Sequence, residues 1–262
     1  MLGLGTFSST TNNSVAALGS KFSNFAGSFD GTADFVLLPE VSALKPTSAV
    51  SMSFWAKPNA WDMTNGSNYD YFLGCVSSGG WGVYLDNTGA QVTTIKFIIR
   101  VSDTGSGSAG YLTANINTAT TEALTGWHHI AATYDGETAK LYLDGGTTGI
   151  TNAVGAASST IVYHGSNARP VMLGSDANAD TTGHHFYHGL LDDVAIFNAA
   201  LTSGNVSTIY NAGVPNDISG MSNLIGYWKF EEGTGTTVAD SSTNSNNGGL
   251  GNAWTWSNDT VG

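Results

Sequence analysis

A short apolar run, a turn of Gly, Asp, Asn, Ser or Thr, then another apolar run: this unit recurs along the chain and leaves little room for any fold but a β one. The runs stand at 35–39 (FVLLP), 51–57 (SMSFWAK), 69–76 (YDYFLGCV), 81–86 (WGVYLD), 93–102 (TTIKFIIRVS), 127–135 (WHHIAATYD), 139–145 (AKLYLDG), 170–175 (PVMLGS), 185–198 (HFYHGLLDDVAIFN) and 224–231 (LIGYWKFE). Several alternate with period two, which in an extended chain sends successive side chains to opposite faces. Met52, Phe54 and Ala56 fall on one face of their run and Ser51, Ser53 and Trp55 on the other, while Leu141 and Leu143 oppose Lys140 and Tyr142. Asp135-Gly136 and Asp144-Gly145 suit tight reversals, because both residue types tolerate positive φ. One stretch, 200–213 (ALTSGNVSTIYNAG), fits a short helix with Thr202 or Ser203 as N-cap and Gly213 as the stop. The expected fold is all-β: a two-sheet antiparallel sandwich with one short helix.

A chain of 262 residues can fill one large sandwich or two small domains, so length does not choose. Charge is more restrictive. Eight Lys+Arg stand against 20 Asp+Glu, a formal charge of -12, and a nucleic-acid backbone or an anionic membrane surface would be repelled. Neither nucleic acid nor membrane insertion is expected, and no apolar run approaches the roughly 20 residues of a membrane-spanning helix. The single cysteine, Cys75, excludes an intrachain disulfide and a multi-cysteine zinc site, and in YFLGCV it reads as a buried small hydrophobe. The first twenty residues hold no basic residue ahead of Lys21 and no sustained apolar stretch, so no secretory signal is expected there.

Three stretches, GSFDGTADFVLLP (27–39), GWHHIAATYDGETAKLYLDG (126–145) and GLLDDVAIFNAALTSGNVSTIYNAG (189–213), resemble in order and spacing the laminin-G-like branch of the concanavalin A-like lectin/glucanase superfamily. The resemblance implies a jelly-roll sandwich, a fold that serves lectins, glycosidases, adhesion modules and structural parts alike. Within these motifs Trp127 and Ile130 read as core anchors, as do Leu191, Val194 and Ile196. Asp192 and Asp193 break the alternation, and a carboxylate buried there needs a partner. In that family the run resembling GYWKFEEGTGTTVADSSTNSNNGGL normally comes first, whereas here it occupies 226–250. The chain accordingly divides into a sandwich over 1–215 and a strand segment over 216–262 that completes it. Three arrangements stay open: the segment returns into its own sandwich, it is donated to a neighbouring subunit, or it is the stub of a second repeat. Leaving Leu224, Ile225, Tyr227, Trp228 and Phe230 unpaired would invite aggregation, which argues against the stub.

A glucanase of this fold needs paired carboxylates on one strand face. The five Glu are Glu40, Glu122, Glu137, Glu231 and Glu232, and none lies in such a pattern. The adjacent pairs Asp192-Asp193 and Glu231-Glu232 point to opposite faces of a strand, so no enzyme is expected. His184 and His188 in HHFYH share a strand face but stand about 13 Å apart by strand rise. Oxygen ligands for one structural calcium are offered by Asp30, Asp34, Asp193 and Asp240, with turn capping as the other reading of Asp30 and Asp240. A glycan site is offered by Trp61, Asp62, Asn65, Asn68 and Tyr69, with Trp81 close behind, since aromatic faces receive sugar C–H groups and amides and carboxylates fix hydroxyls. The resemblance extends to modules of phage virion proteins. The expectation is a non-catalytic structural or adhesion protein on a virion surface, a capsid decoration or fibre component, that assembles with other virion proteins or copies of itself and binds a cell-surface glycan. The alternative is a secreted carbohydrate-binding module of an extracellular protein.

Overall fold

The computed structural model describes residues 23–59, 69–76, 79–86, 88, 93–101, 110–118, 126–152, 160–163, 170–177, 183–251 and 255–261. Its strands are β1 (Ala26–Asp30), β2 (Phe35–Leu37), β3 (Val50–Pro58), β4 (Tyr69–Gly74), β5 (Trp81–Asp86), β6 (Thr93–Arg100), β7 (Tyr111–Thr118), β8 (His128–Tyr134) and β9 (Thr138–Leu143). They continue with β10 (Gly146–Asn152), β11 (Met172–Leu173), β12 (Asp176–Ala177), β13 (Gly183–His184), β14 (His188–Phe197), β15 (Leu224–Trp228), β16 (Thr237–Val238), β17 (Gly248–Gly251) and β18 (Thr255–Ser257). One α-helix, α1 (Ser203–Tyr210), lies between β14 and β15. None of the described helices is long and apolar enough to cross a membrane.

Two antiparallel sheets carry the fold. The first runs β10-β9-β8-β3-β14-β1-β18, with β15 also paired to β14, and the second runs β16-β17-β2-β11-β4-β5-β6-β7. Between them pack Met52, Phe54, Ala56, Ile130, Leu141, Leu191, Val194 and Ile196 from the first sheet and Phe72, Trp81, Val83, Leu85, Ile95, Phe97 and Ile99 from the second. The period-two alternation aims these residues inward, and their burial supplies the main driving force.

The C-terminal segment contributes to both sheets. β15 pairs with β14, β17 pairs with β2, and β18 pairs with β1. One edge of β14 is thereby shared: β1 covers His188–Leu191 and β15 covers Val194–Phe197. At the boundary the register of β14 against β3 shifts between Asp192 and Ala195, and Asp193 adopts a φ of 49°. The interruption read in LDDV is a bulge at which two strands from distant parts of the sequence meet.

The first sheet is buried on its outer side too, which alternation alone does not reveal. α1 lays Val206 and Ile209 over Ala131, Tyr142, Ala195, Phe197 and Tyr227. Tyr142 and Trp55, expected to point outward to water, are 2% and 3% exposed because the helix covers them. Trp127 corrects the reading in the other direction: it is half-buried, with its indole N–H donating to Asp259 Oδ1 at 3.3 Å. Thr202 is the N-cap, accepting from the Asn205 amide at 3.1 Å while Asn205 Oδ1 accepts from the Thr202 amide at 3.1 Å. The helix stops at Asn211 in the left-handed region (φ 45°), ahead of the expected Gly213. Thr202→Ala is expected to lower stability by about 1 kcal/mol in urea unfolding, because one amide of the first turn loses its acceptor.

Candidate functional site

The outer face of the second sheet carries an aromatic array. Tyr71 on β4 and Tyr84 on β5 are register partners, and their rings stack at 4.7 Å and 22°. Tyr69 meets Tyr84 edge-on at 5.6 Å. His185, in the turn before β14, stacks on Tyr71 at 5.9 Å and meets Tyr69 edge-on at 5.3 Å. Local sequence makes room for this. Gly74 and Gly82 are paired directly beneath Tyr71, and a Cβ on Gly82 would fall 2.8 Å from Tyr71 Cε1 and 2.6 Å from Val76 Cγ2. Only a residue without a side chain leaves space for the ring.

Polar groups frame the array. Lys96 on β6 pairs with Asp86 on β5, and the Asp86 carboxylate also accepts from the amide and hydroxyl of Thr88. Arg100 lies over the Tyr111 ring at 5.2 Å, and the Tyr111 hydroxyl donates to the Val76 carbonyl at 3.1 Å. Tyr71 and Tyr84 are each 7% exposed, Tyr69 and His185 are half-buried, and His184 is exposed. Burial, with the neighbouring His184, holds the His185 imidazole down at about 4, so at neutral pH it is an uncharged hydrogen-bonding group. Burial pushes the Tyr71 and Tyr84 hydroxyls up, so both stay protonated donors.

Of the residues expected to hold a glycan, Tyr69 sits in this array. Trp61, Asp62, Asn65 and Asn68 lie outside the described residues, in the segment that leads into β4. Trp81 does not serve: its side chain is fully buried between the sheets and offers no face to a sugar. Tyr84 and His185 were not legible as site residues, because the register that joins them to Tyr69 cannot be read from local pattern. The outward position of Tyr84, between inward Val83 and Leu85, was the available signal.

Of the aspartates expected to ligate calcium, Asp30 and Asp34 share one turn, but among the described residues no three His, Cys, Asp or Glu side chains are arranged to hold a metal. Asp30 caps its own turn, accepting from the amides of Thr32, Ala33 and Asp34 and from the Thr32 hydroxyl. Burial pushes this carboxyl up, but those hydrogen bonds outweigh it and hold it at about 2. Asp34 Oδ2 accepts from the Asp30 amide, and burial beside Asp30 pushes its carboxyl up. Asp240 accepts from the amides of Tyr227, Ser242 and Asn246 and from the Ser242 hydroxyl.

Asp193 and Asp192 serve the bulge on β14. Asp192 accepts from Ser23 Oγ at 2.8 Å, and Asp193 Oδ1 accepts from the Tyr227 hydroxyl at 2.5 Å. One carboxylate is thus held by the segment leading into β1 and the other by β15. Burial pushes both carboxyls up, Asp192 well above the usual range and Asp193 to about 7. Glu231 and Glu232 are likewise occupied, accepting from the Asn24 amide and side chain and from the Ala239 amide. His184 and His188 fall on separate strands, β13 and β14, which removes the spacing of a single strand; His188 Nε2 lies 2.8 Å from Asn59 Nδ2.

The fold is shared with proteins of known structure. A candidate carbohydrate-binding protein from Bacteroides ovatus superposes with a TM-score of 0.61 at 14% identity, over 89% of this chain and 59% of that one. The heptameric SAP-like pentraxin of Limulus polyphemus superposes with a TM-score of 0.51 at 19% identity, over 71% and 82% of the two chains. In sequence, 203 residues are 26% identical to adhesion G-protein coupled receptor V1 of Danio rerio, which is 75% of this chain but only 3% of the receptor. Residues 30–207 match the family model of laminin-G type described as the concanavalin A-like lectin/glucanases superfamily. With most of its length matched and its two sheets in place, the chain belongs to that superfamily, in the laminin-G-like branch.

Proposed function

We propose that this chain is a non-catalytic recognition module, displayed on the outside of a particle or cell, that takes a neutral glycan on the face built from Tyr69, Tyr84 and His185. The observation that carries this reading is the aromatic array itself. Two buried, stacked tyrosines support this part of the β-face, and beside them the half-buried Tyr69 ring and the uncharged His185 imidazole present an aromatic surface and a neutral hydrogen-bonding group together. The adjacent acids Asp192-Asp193 and Glu231-Glu232 are engaged by Ser23, Tyr227, Asn24 and Ala239, so among the described residues neither adjacent pair is free to flank a glycosidic bond. The setting we favour is a virion surface, where the module assembles with other virion proteins or with its own copies; a secreted carbohydrate-binding module is the alternative setting. Similarity to a segment of an adhesion receptor is in keeping with either.

The test is an array of defined neutral and acidic oligosaccharides, followed by titration of the best binder. Tyr69→Ala is expected to weaken binding about tenfold, the loss of one aromatic contact worth roughly 1.4 kcal/mol, while the melting temperature stays close to that of the parent. Unchanged affinity in both Tyr69→Ala and His185→Ala, with both variants folded, would refute the assignment of the face.

A further inference from the structure

His129 on β8 has no exposed surface and is boxed in by residues from β3 and α1. Its Nε2 lies 2.8 Å from Ser53 Oγ on β3. The Trp55 ring stands 5.3 Å away and the Tyr210 ring, at the C-terminal end of α1, 5.9 Å away, with Trp55 and Tyr210 stacked on each other at 5.8 Å. Nδ1 has no hydrogen-bond partner. A neutral imidazole tolerates this, since one ring nitrogen needs no donor. An imidazolium has two N–H donors and would bury the second without an acceptor. The side of the box that can give way is Tyr210, because its helix rests on the sheet from outside and is followed by Asn211 and Ala212, both at positive φ.

We infer that α1 is an acid-released clamp: protonation of His129 lifts the Tyr210 end of the helix from the outer face of the first sheet. The same helix leads through residues 211–223 into β15, so its release loosens the entry to the C-terminal strands and uncovers Tyr142, Ala195 and Phe197. The charged and titratable groups on the surrounding elements are Lys57 on β3, His128 and Tyr134 on β8, Lys140 and Tyr142 on β9, Asp144 in the following turn, His188, Asp192 and Asp193 on β14, and Tyr210 on α1. Burial holds the His129 imidazole down at about 4, with Asp144 opposing. Asp144 is already engaged by the His128 ring and the His129 amide. A depressed histidine gives stability that is present above the unfolded value near 6.5 and is lost as pH falls from there toward 4. The Asp192-Asp193 junction behaves oppositely, since its raised carboxyls favour the folded chain on acidification. The loosening is therefore expected at the helix and the entry to β15, and not at the Asp192-Asp193 junction.

The experiment is amide hydrogen exchange on the intact chain, corrected for intrinsic rates, at pH 7 and pH 5. Protection of residues 206–210 is expected to fall on the order of 10- to 30-fold while β3, β8 and β14 hold theirs, and His129→Gln, which can still bond Ser53, is expected to remove the difference. NMR titration of the parent protein serves should that variant fail to fold: the His129 ring is expected to titrate below pH 5.5. Loss of protection that is uniform across helix and sheet, the same helix-specific loss in His129→Gln, or a His129 midpoint at or above 6.5 would each overturn the clamp.

Discussion

Trp228→Ala is expected to cost about 3 to 5 kcal/mol, the range for truncating a large buried aromatic residue. Out of a total near 5 to 15 kcal/mol for a domain, this leaves the variant marginal or unfolded at 25 °C. Trp228 is fully buried in the main core, its indole N–H donates to the Asn246 carbonyl at 3.0 Å, and its backbone pairs with Val194. Its ring lies across Gly226, where an added Cβ would come within 2.3 Å of Cη2, so the strand has been left open at that point to admit the indole. Removing the ring opens a cavity and strands a buried carbonyl at the same time. Urea unfolding followed by circular dichroism measures the cost, and a loss under about 1 kcal/mol would mean that β15 is not an integral strand.

Asp240→Ala is expected to cost about 2 to 4 kcal/mol, more than most substitutions of a partly exposed acid. The reason is the number of donors gathered on one carboxylate: Oδ1 accepts from the amides of Tyr227 and Ser242 at 2.9 and 2.8 Å, and Oδ2 from the Ser242 hydroxyl and Asn246 amide, both at 2.8 Å. A hydrogen bond to a charged acceptor is worth roughly 1.5 to 3 kcal/mol, and donors left inside the turn recover only part of it from water. The effect reaches past the turn, because Tyr227 also holds Asp193 at the bulge and the Asn246 side chain donates to the Ile225 carbonyl at 2.8 Å. Asp240→Asn keeps the shape and two acceptor sites, and it is expected to lose about half as much. Equal stability of the alanine variant and the parent would show that the turn is held by its backbone alone.

How far the sequence reveals such a structure depends on whether the deciding neighbour is local. Runs that alternate cleanly, such as those around Phe54, Val83, Phe97, Ile130 and Leu141, lie in strands with those side chains in the core. β7 escapes a reading of apolar runs because Leu112, Ala114 and Ile116 are separated by Thr and Asn, so no contiguous hydrophobic stretch marks it. β1 and β17 are short and glycine-containing, and they are strands by virtue of the longer partners they pair with. Burial of Trp55, Tyr142 and Ala131 on the outer face depends on a helix that arrives some 60 residues or more later in the chain. At the proposed recognition face Tyr69 is legible as an aromatic residue beside a polar segment. Its union with Tyr84 and His185 is fixed by register and by the turn before β14, neither of which is local. Asp192 and Asp193 are visible as a break in alternation, but only the meeting of β1 and β15 explains why two adjacent acids are needed: each arriving segment takes one of them.

The account rests on residues 224–261 completing the sandwich of their own chain. NMR on an equal mixture of isotope-labelled and unlabelled protein separates contacts within a chain from contacts between chains. Cross-strand contacts from Ala195 to Tyr227 and from Val194 to Trp228 are expected within the labelled chain and absent from the spectrum filtered for contacts between labelled and unlabelled chains. The same contacts appearing between chains, or appearing in neither spectrum, would contradict it.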